Sequence, residues 1–195
     1  MRCIDPLRRK YVEFPTELHF DNWLQFWMNP QALRLEPRLP SDPVAATDNP
    51  AVKLADLVIA WQDGSTELQV IAPKLTSTYG ARIAAMKAAG GETFRITVRT
   101  RDQIRSQRSH IECLERWRQA AALHADQPLG ELTRQVIDVV PTSGVIGLPR
   151  LSAAVEVPHT LTEIVAVLAR QHYVGILSVS PGSYFYEVPT LISRT

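Results

Sequence analysis

Between Thr16 and Met28 the apolar residues Phe20, Trp23, Leu24, Trp27 and Met28 recur at helical spacing. That spacing predicts an amphipathic helix over 16–28. Thr16 stands at the N-cap position and Asn29-Pro30 ends the helix. Residues 32–35 form a short extended piece, and the Pro-, Asp- and Asn-rich stretch over 41–53 reads as a loop or hairpin connection. The pattern then turns β-like. Two short apolar runs, 54–61 and 67–72, flank the turn signal Gln62-Asp63-Gly64-Ser65 and predict paired strands. The Ala-rich stretch 78–89 predicts a helix stopped by Gly90-Gly91. A third strand follows over 93–98, and a long helix over 102–123 places Ile104, Ile111, Leu114 and Trp117 on one side.

After a linker at 124–128 come helices over 129–140, 148–155 and 160–172. Two strands joined at Ser180-Pro181-Gly182-Ser183 end the chain. Three helices and a β-hairpin make the layout of a winged helix-turn-helix, a module that can enter the DNA major groove or contact protein. The order of elements is that of an α/β protein. Three segments result: a basic arm over 1–14, an α/β domain over 15–123 and a winged-helix-like domain over 124–195.

Composition narrows the function classes. The chain has 195 residues and a formal net charge of +1, so any nucleic-acid contact has to come from a local patch. Cys3 and Cys113 are the only cysteines, which excludes a Cys-based zinc module and suits a reducing compartment. No apolar run approaches the roughly 20 residues of a membrane span, and the basic N-terminus lacks the apolar core of a signal peptide. The expectation is a soluble, cytoplasmic protein without a membrane partner. The four tryptophans fall on apolar faces and read as core. The five histidines show no ligand spacing, and Gly90-Gly91 lacks the Lys-Ser/Thr of a phosphate loop.

Metal-dependent nucleases need oxygen ligands converging on Mg²⁺, with a lysine nearby to stabilise charge or position water. An Asp on one strand of a hairpin and an acid-x-Lys on the next supply this economically, because strand alternation puts the acid and the lysine on one face. A preceding helix can add a Glu. Here Glu17 shares a helix face with Phe20, Leu24 and Met28, and Asp56 interrupts the apolar run at the start of a strand. Asp56 is either a buried carboxylate, paired or metal-bound, or a solvent-facing strand end, and the pattern leaves both readings open.

The segments T16-E17-L-H-F-D-N-W-L-Q-F-W-M-N-P, L54-A-D-L-V-I-A-W-Q-D-G and E67-L-Q-V-I-A-P, followed by T93-F-R-I-T-V-R-T-R-D-Q-I-R and H110-I-E-C-L-E-R-W, resemble in order and spacing the TnsA transposon endonucleases. The resemblance runs over nearly the whole chain. It implies a restriction-endonuclease-like (PD-(D/E)xK) core followed by a small winged-helix-like domain. By position, Glu17, Asp56 and Gln69 match the family's metal ligands, for Mg²⁺, while Ile71 stands where the family has its lysine and Ala55 replaces the usual proline. Lys74, three residues on, is either a migrated catalytic lysine or a surface lysine, and the second reading is favoured.

Arg95, Arg99, Arg101, Arg105 and Arg108 form the densest basic run. They would track a DNA backbone or form a solvated helix start. The resemblance implies a subunit of a heteromeric bacterial transposition machinery. Its partners would be double-stranded DNA at transposon ends, a DDE-type transposase and an AAA+ ATPase regulator, with strand cleavage weakened or lost. Two alternatives remain: an active Mg²⁺-dependent DNA endonuclease using Lys74, and a non-catalytic DNA-binding regulator.

Overall fold

The basic arm expected over 1–14 is a β-hairpin in the computed structural model, which describes residues 1–39, 49–90, 93–180 and 190–195. Its strands are β1 (Arg2–Asp5) and β2 (Lys10–Glu13). Asp5 makes the turn. Its Oδ1 accepts from the backbone N–H groups of Leu7 and Arg8 at 3.2 Å each, and its Oδ2 pairs with the Arg8 guanidinium. Carboxylates that bond their own backbone two or three residues on are turn makers. Val12 and Phe14 are buried, whereas Met1, Ile4 and Tyr11 are exposed.

The chain divides into two units. One holds Met1–Cys3 and Val12–Gln107, the other Ile4–Tyr11 and Arg108–Thr195. Residues Arg108–Leu123 belong to the second of these units.

The first unit is built on a four-stranded mixed sheet. Helix α1 (Glu17–Trp27) leads into β3 (Ala32–Pro37), the short helix α2 (Pro50–Lys53), β4 (Leu57–Trp61), β5 (Thr66–Ala72), α3 (Ser77–Gly90), β6 (Arg95–Thr100) and α4 (Arg101–Arg105). The sheet order is β3-β4-β5-β6. The first two pairings are antiparallel, and β5 pairs with β6 in parallel, with α3 making the crossover. Part of the stretch expected as loop is thus the helix α2, capped by the Asn49 side chain on the Ala51 N–H at 2.9 Å. The rest of that stretch lies outside the described residues, as does Gly91 of the expected helix stop.

Alternation along β5 sorts its side chains between two faces. Leu68 and Val70 pack with Val58, Ala51, Val52, Ala55 and Met86 against α2 and α3. Gly90 ends α3 in close approach: a Cβ there would lie 2.9 Å from the Phe94 ring and 3.1 Å from Ala51. Glu67, Gln69 and Ile71 face the other way, toward α1, whose Leu18, Phe20, Trp23, Leu24 and Trp27 are buried.

The long helix expected over 102–123 is two helices. The Thr100–Gln103 capping box starts α4, whose Ile104 is buried, and α5 (Arg108–Leu123) starts afresh in the second unit. That unit continues with α6 (Gly130–Val139), β7 (Ile146–Gly147), α7 (Leu148–Ala154), α8 (Leu161–Tyr173), β8 (Leu177–Ser180) and β9 (Leu191–Arg194). Its three strands are antiparallel in the order β7-β9-β8. The two-residue β7 carries no periodic signal and was not expected, and the turn expected at 180–183 lies beyond the described residues from Pro181 onward. No helix among the described residues is long and apolar enough to cross a membrane.

Candidate functional site

Asp56 sits one residue before β4 and is held by backbone on both sides. Its N–H donates to the Gln69 carbonyl and its carbonyl accepts from the Arg38 N–H, both at 2.8 Å. Its side chain is only 12% exposed. Arg82, from α3, donates through Nη2 to Oδ1 at 2.7 Å and through Nε to the Leu54 carbonyl at 2.7 Å. The other carboxylate oxygen, Oδ2, accepts from the Ile71 backbone N–H at 2.7 Å. His19 Nε2 lies 3.8 Å from Oδ1. Burial pushes this carboxyl up, but the hydrogen bonds from His19, Arg82 and the Ile71 N–H, with the Arg82 charge, outweigh it and hold Asp56 below its usual value. Of the two readings left open by the sequence, the buried one describes it: Asp56 is a mostly buried carboxylate paired with an arginine.

The expected ligand set is not assembled around it. Glu17 points away: its side chain is 75% exposed and lies 3.5 Å from the Arg105 guanidinium. Successive helix residues are turned by about 100°, so the positions of α1 that reach the sheet are His19 and Asn22 rather than Glu17. Gln69 is buried in a different arrangement. Its Oε1 accepts from Asn22 Nδ2 at 2.7 Å and its Nε2 donates to Glu67 Oε1 at 2.8 Å. Glu67 in turn accepts from the Trp61 indole at 3.2 Å. From Asn22 the chain of bonds runs to Arg99 Nε at 3.2 Å, from Arg99 to Gln25 at 2.5 Å, and from Gln25 to the Ile104 carbonyl at 2.9 Å. This polar layer ties α1, β5, β6 and α4 together, and it engages both ends of the Gln69 amide.

Ile71 is 2% exposed, so the place of the expected lysine is filled by apolar packing. Lys74 is exposed in the bend after β5. Among the described residues no three His, Cys, Asp or Glu side chains are placed to hold a metal ion. The donors around Asp56 settle how it fits Mg²⁺. A hard cation needs carboxylate lone pairs, and here N–H groups take both oxygens while Arg82 already supplies the positive charge. These residues do not fit the metal the resemblance implies.

The arginine run is also dispersed. Arg99 is half-buried in the polar layer, where burial lowers its pKa and the charge of Glu67 acts the other way. Arg105 lies near Glu17 and Asp21, and Arg108 pairs with Glu112 on α5, in the second unit. Arg95 and Arg101 are exposed. Within the first unit, the inward placement of Arg99 separates it from the exposed Arg95 and Arg101.

In the second unit, α8 is the helix that a helix-turn-helix would present to DNA. Ile164 to Ala169 are fully buried, six positions in succession. Helix α5 packs along it, with α6 and β8 also in contact. The middle of the helix is therefore core and presents no side chain to a groove, while its ends, Leu161–Glu163 and Arg170–Tyr173, are partly exposed.

Sequence reasoning missed Arg82, Glu67, Asn22 and Arg38. Glu67 was accessible through strand period, since 67, 69 and 71 share a face. Arg82 carried no signal, because one arginine in an Ala-rich helix reads as solvated. Neither family models, nor curated proteins, nor solved structures match the chain.

Proposed function

We propose that the chain is a TnsA-like subunit of a DNA transposition machinery in which the nuclease core has become a scaffold that cuts nothing. Three features support the nuclease ancestry. The first unit runs helix, antiparallel strands, crossover helix, parallel strand, as a restriction-endonuclease-like core does. Asp56, one residue before β4, and Gln69, in the middle of β5, are backbone partners. The order of α6, β7, α7, α8, β8 and β9 and the strand order β7-β9-β8 suit a winged-helix-like domain.

The observation that carries the loss of cleavage is the Arg82 guanidinium 2.7 Å from the Asp56 carboxylate, beside an apolar Ile71. A nuclease of this kind needs that carboxylate on its metal and a lysine at the next strand. This favours the scaffold over an enzyme relying on Lys74. The burial of α8 favours a second unit that contacts protein, a transposase or an ATPase regulator, over a DNA-binding regulator. The test combines the full chain with transposon-end DNA, a DDE-type transposase and an AAA+ ATPase in Mg²⁺ or Mn²⁺. We expect a complex that depends on the chain and no strand cleavage attributable to it. Cleavage that disappears in Asp56→Ala would overturn the scaffold reading.

A further inference from the structure

Beside Asp56 the first unit opens a cleft of about 200 Å³ lined by Arg38, Leu39, Lys53, Leu54, Ala55, Asp56 and Arg82. The space is several times the ~30 Å³ share of a water molecule. Three lining side chains are cationic and one is anionic. Asp56 is already engaged by Arg82 and by the Ile71 N–H. Among the described residues, the positive charge of Arg38 and Lys53 is left over.

Arg38 is the informative residue. It follows β3 and is 8% exposed, and its Nε has no hydrogen-bond partner. No described side chain pairs with its guanidinium. Buried arginines are almost always paired, because a desolvated charge without a counter-ion is strongly unfavourable. An unmet buried donor calls for an explanation such as a missing ion. Its backbone N–H is fixed on the Asp56 carbonyl at 2.8 Å, so the side chain starts from a rigid point at the sheet end. Lys53 closes α2 at the exposed rim of the same cleft.

We infer that this cleft binds an oxyanion of the phosphate class, held by Arg38 from within and by Lys53 at the rim, with Arg82 contributing its field. Guanidinium forks suit phosphate oxygens, and a lysine adds a mobile point charge. Among the described residues these two cations have no counter-ion, and together they match the charge of a phosphate dianion. The site uses no metal. It rests on the geometry of the first unit alone and stands whether or not the chain serves transposition. The phosphate could be free or part of a nucleic acid, and the chemistry that recognises it is the same.

The test titrates the full chain with inorganic phosphate at constant ionic strength set by chloride, read by calorimetry and by Tm. Saturable binding and a rise in Tm are expected. Arg38→Gln should weaken binding by roughly tenfold or more, the scale of losing charged hydrogen bonds. Lys53→Gln should weaken it by a smaller factor while leaving the Tm of the free chain nearly unchanged, since Lys53 is exposed. Should Arg38→Gln not fold, Lys53→Gln decides. Absence of saturable binding beyond that of chloride, or equal affinity in the wild type and the folded variants, overturns the site. A second arm compares 5′-phosphorylated and unphosphorylated oligonucleotides by anisotropy. An Arg38-dependent preference for the phosphorylated strand assigns the phosphate to nucleic acid, and phosphate binding without it assigns a free phosphate. Phosphate binding with no affinity for DNA at all would keep this site and remove the chain's own DNA contact from the proposed function.

Discussion

Arg82 Nη2 and Asp56 Oδ1 are 2.7 Å apart, and the same guanidinium reaches the Leu54 carbonyl with its Nε. One side chain of α3 thereby fixes both the carboxylate and the backbone that leads into β4. The pair is partly buried, at 27% and 12% side-chain exposure, so its effect on stability comes from what each partner loses when the other is removed. Asp56→Asn and Arg82→Met are each expected to cost about 1–3 kcal/mol in chemical denaturation. The double variant should cost clearly less than the sum. The pH dependence has a fixed sign. Asp56 has its folded pKa below the unfolded one. Its contribution is therefore present above the unfolded value of about 3.9 and is lost as pH falls through the folded one. Asp56→Asn should flatten the acid limb of the stability profile. An unchanged limb would show that the ion pair is not formed in solution.

Restoring the family lysine should not restore a nuclease. Ile71 is 2% exposed, and its N–H already occupies Asp56 Oδ2. Ile71→Lys places an ammonium group among apolar side chains, an unpaired buried charge that is expected to cost about 3 kcal/mol or more. Nicking of plasmid DNA in Mn²⁺ should stay at the background level. Metal-dependent nicking by this variant would mean that one substitution separates the chain from catalysis, and that Arg82 yields Asp56 to a metal.

How far the sequence could be read follows from where each signal arises. The helix α1 and strands β4 and β5 were legible because their apolar residues keep a clean period against one core face, and Gly64 marks the turn between the strands with φ 84°. The β1–β2 hairpin was hidden because its order comes from Asp5 bonding to its own turn and from two buried residues, Val12 and Phe14, too few to show a period. The break between α4 and α5 was hidden too. Ser106 and Gln107 fit a helix, and only the assignment of Ile104 and Ile111 to different cores separates the two segments. At the site, Asp56 was found because an acid in an apolar run is rare, but its partner lies 26 residues away on a helix. Nothing local in the sequence indicates that Arg82 turns inward, or that no described side chain pairs with Arg38.

The polar layer beneath α1 predicts its own failure mode. Gln69 links Asn22 to Glu67, so Gln69→Leu leaves a buried amide donor and a buried carboxylate oxygen each short of a partner. Unsatisfied buried groups cost about 1–3 kcal/mol apiece, more than the gain from an extra apolar contact. Gln69→Glu should be worse still, since it sets a second carboxylate beside Glu67. Both variants should lower the denaturant midpoint. Gln69→Leu at wild-type stability would show that the layer is satisfied by other groups and that Gln69 is free for a different role.

The second unit should lose stability on mild acidification through His172. Its Nδ1 lies 3.2 Å from the Val179 N–H and 3.1 Å from the Leu177 carbonyl. A neutral ring accepts from Val179 and so ties α8 to β8; a protonated ring can only donate, toward Leu177. Burial lowers the pKa of His172, and the Leu177 carbonyl acts in the opposite direction. The folded value is therefore below the unfolded one of about 6.5. Stability from the neutral ring is fully present above that pH and is lost as pH falls through the window down to the folded pKa, by at most about 1.4 kcal/mol per pH unit. His110, lowered by burial alone, adds to the same slope. His172→Gln should remove one proton's share of the slope between pH 7.5 and 5, and the double variant with His110→Gln should remove the greater part. Urea midpoints measured across that range check this. A wild-type slope that survives the double variant would place the acid sensitivity on other groups and leave the His172–Val179 bond without a role in it.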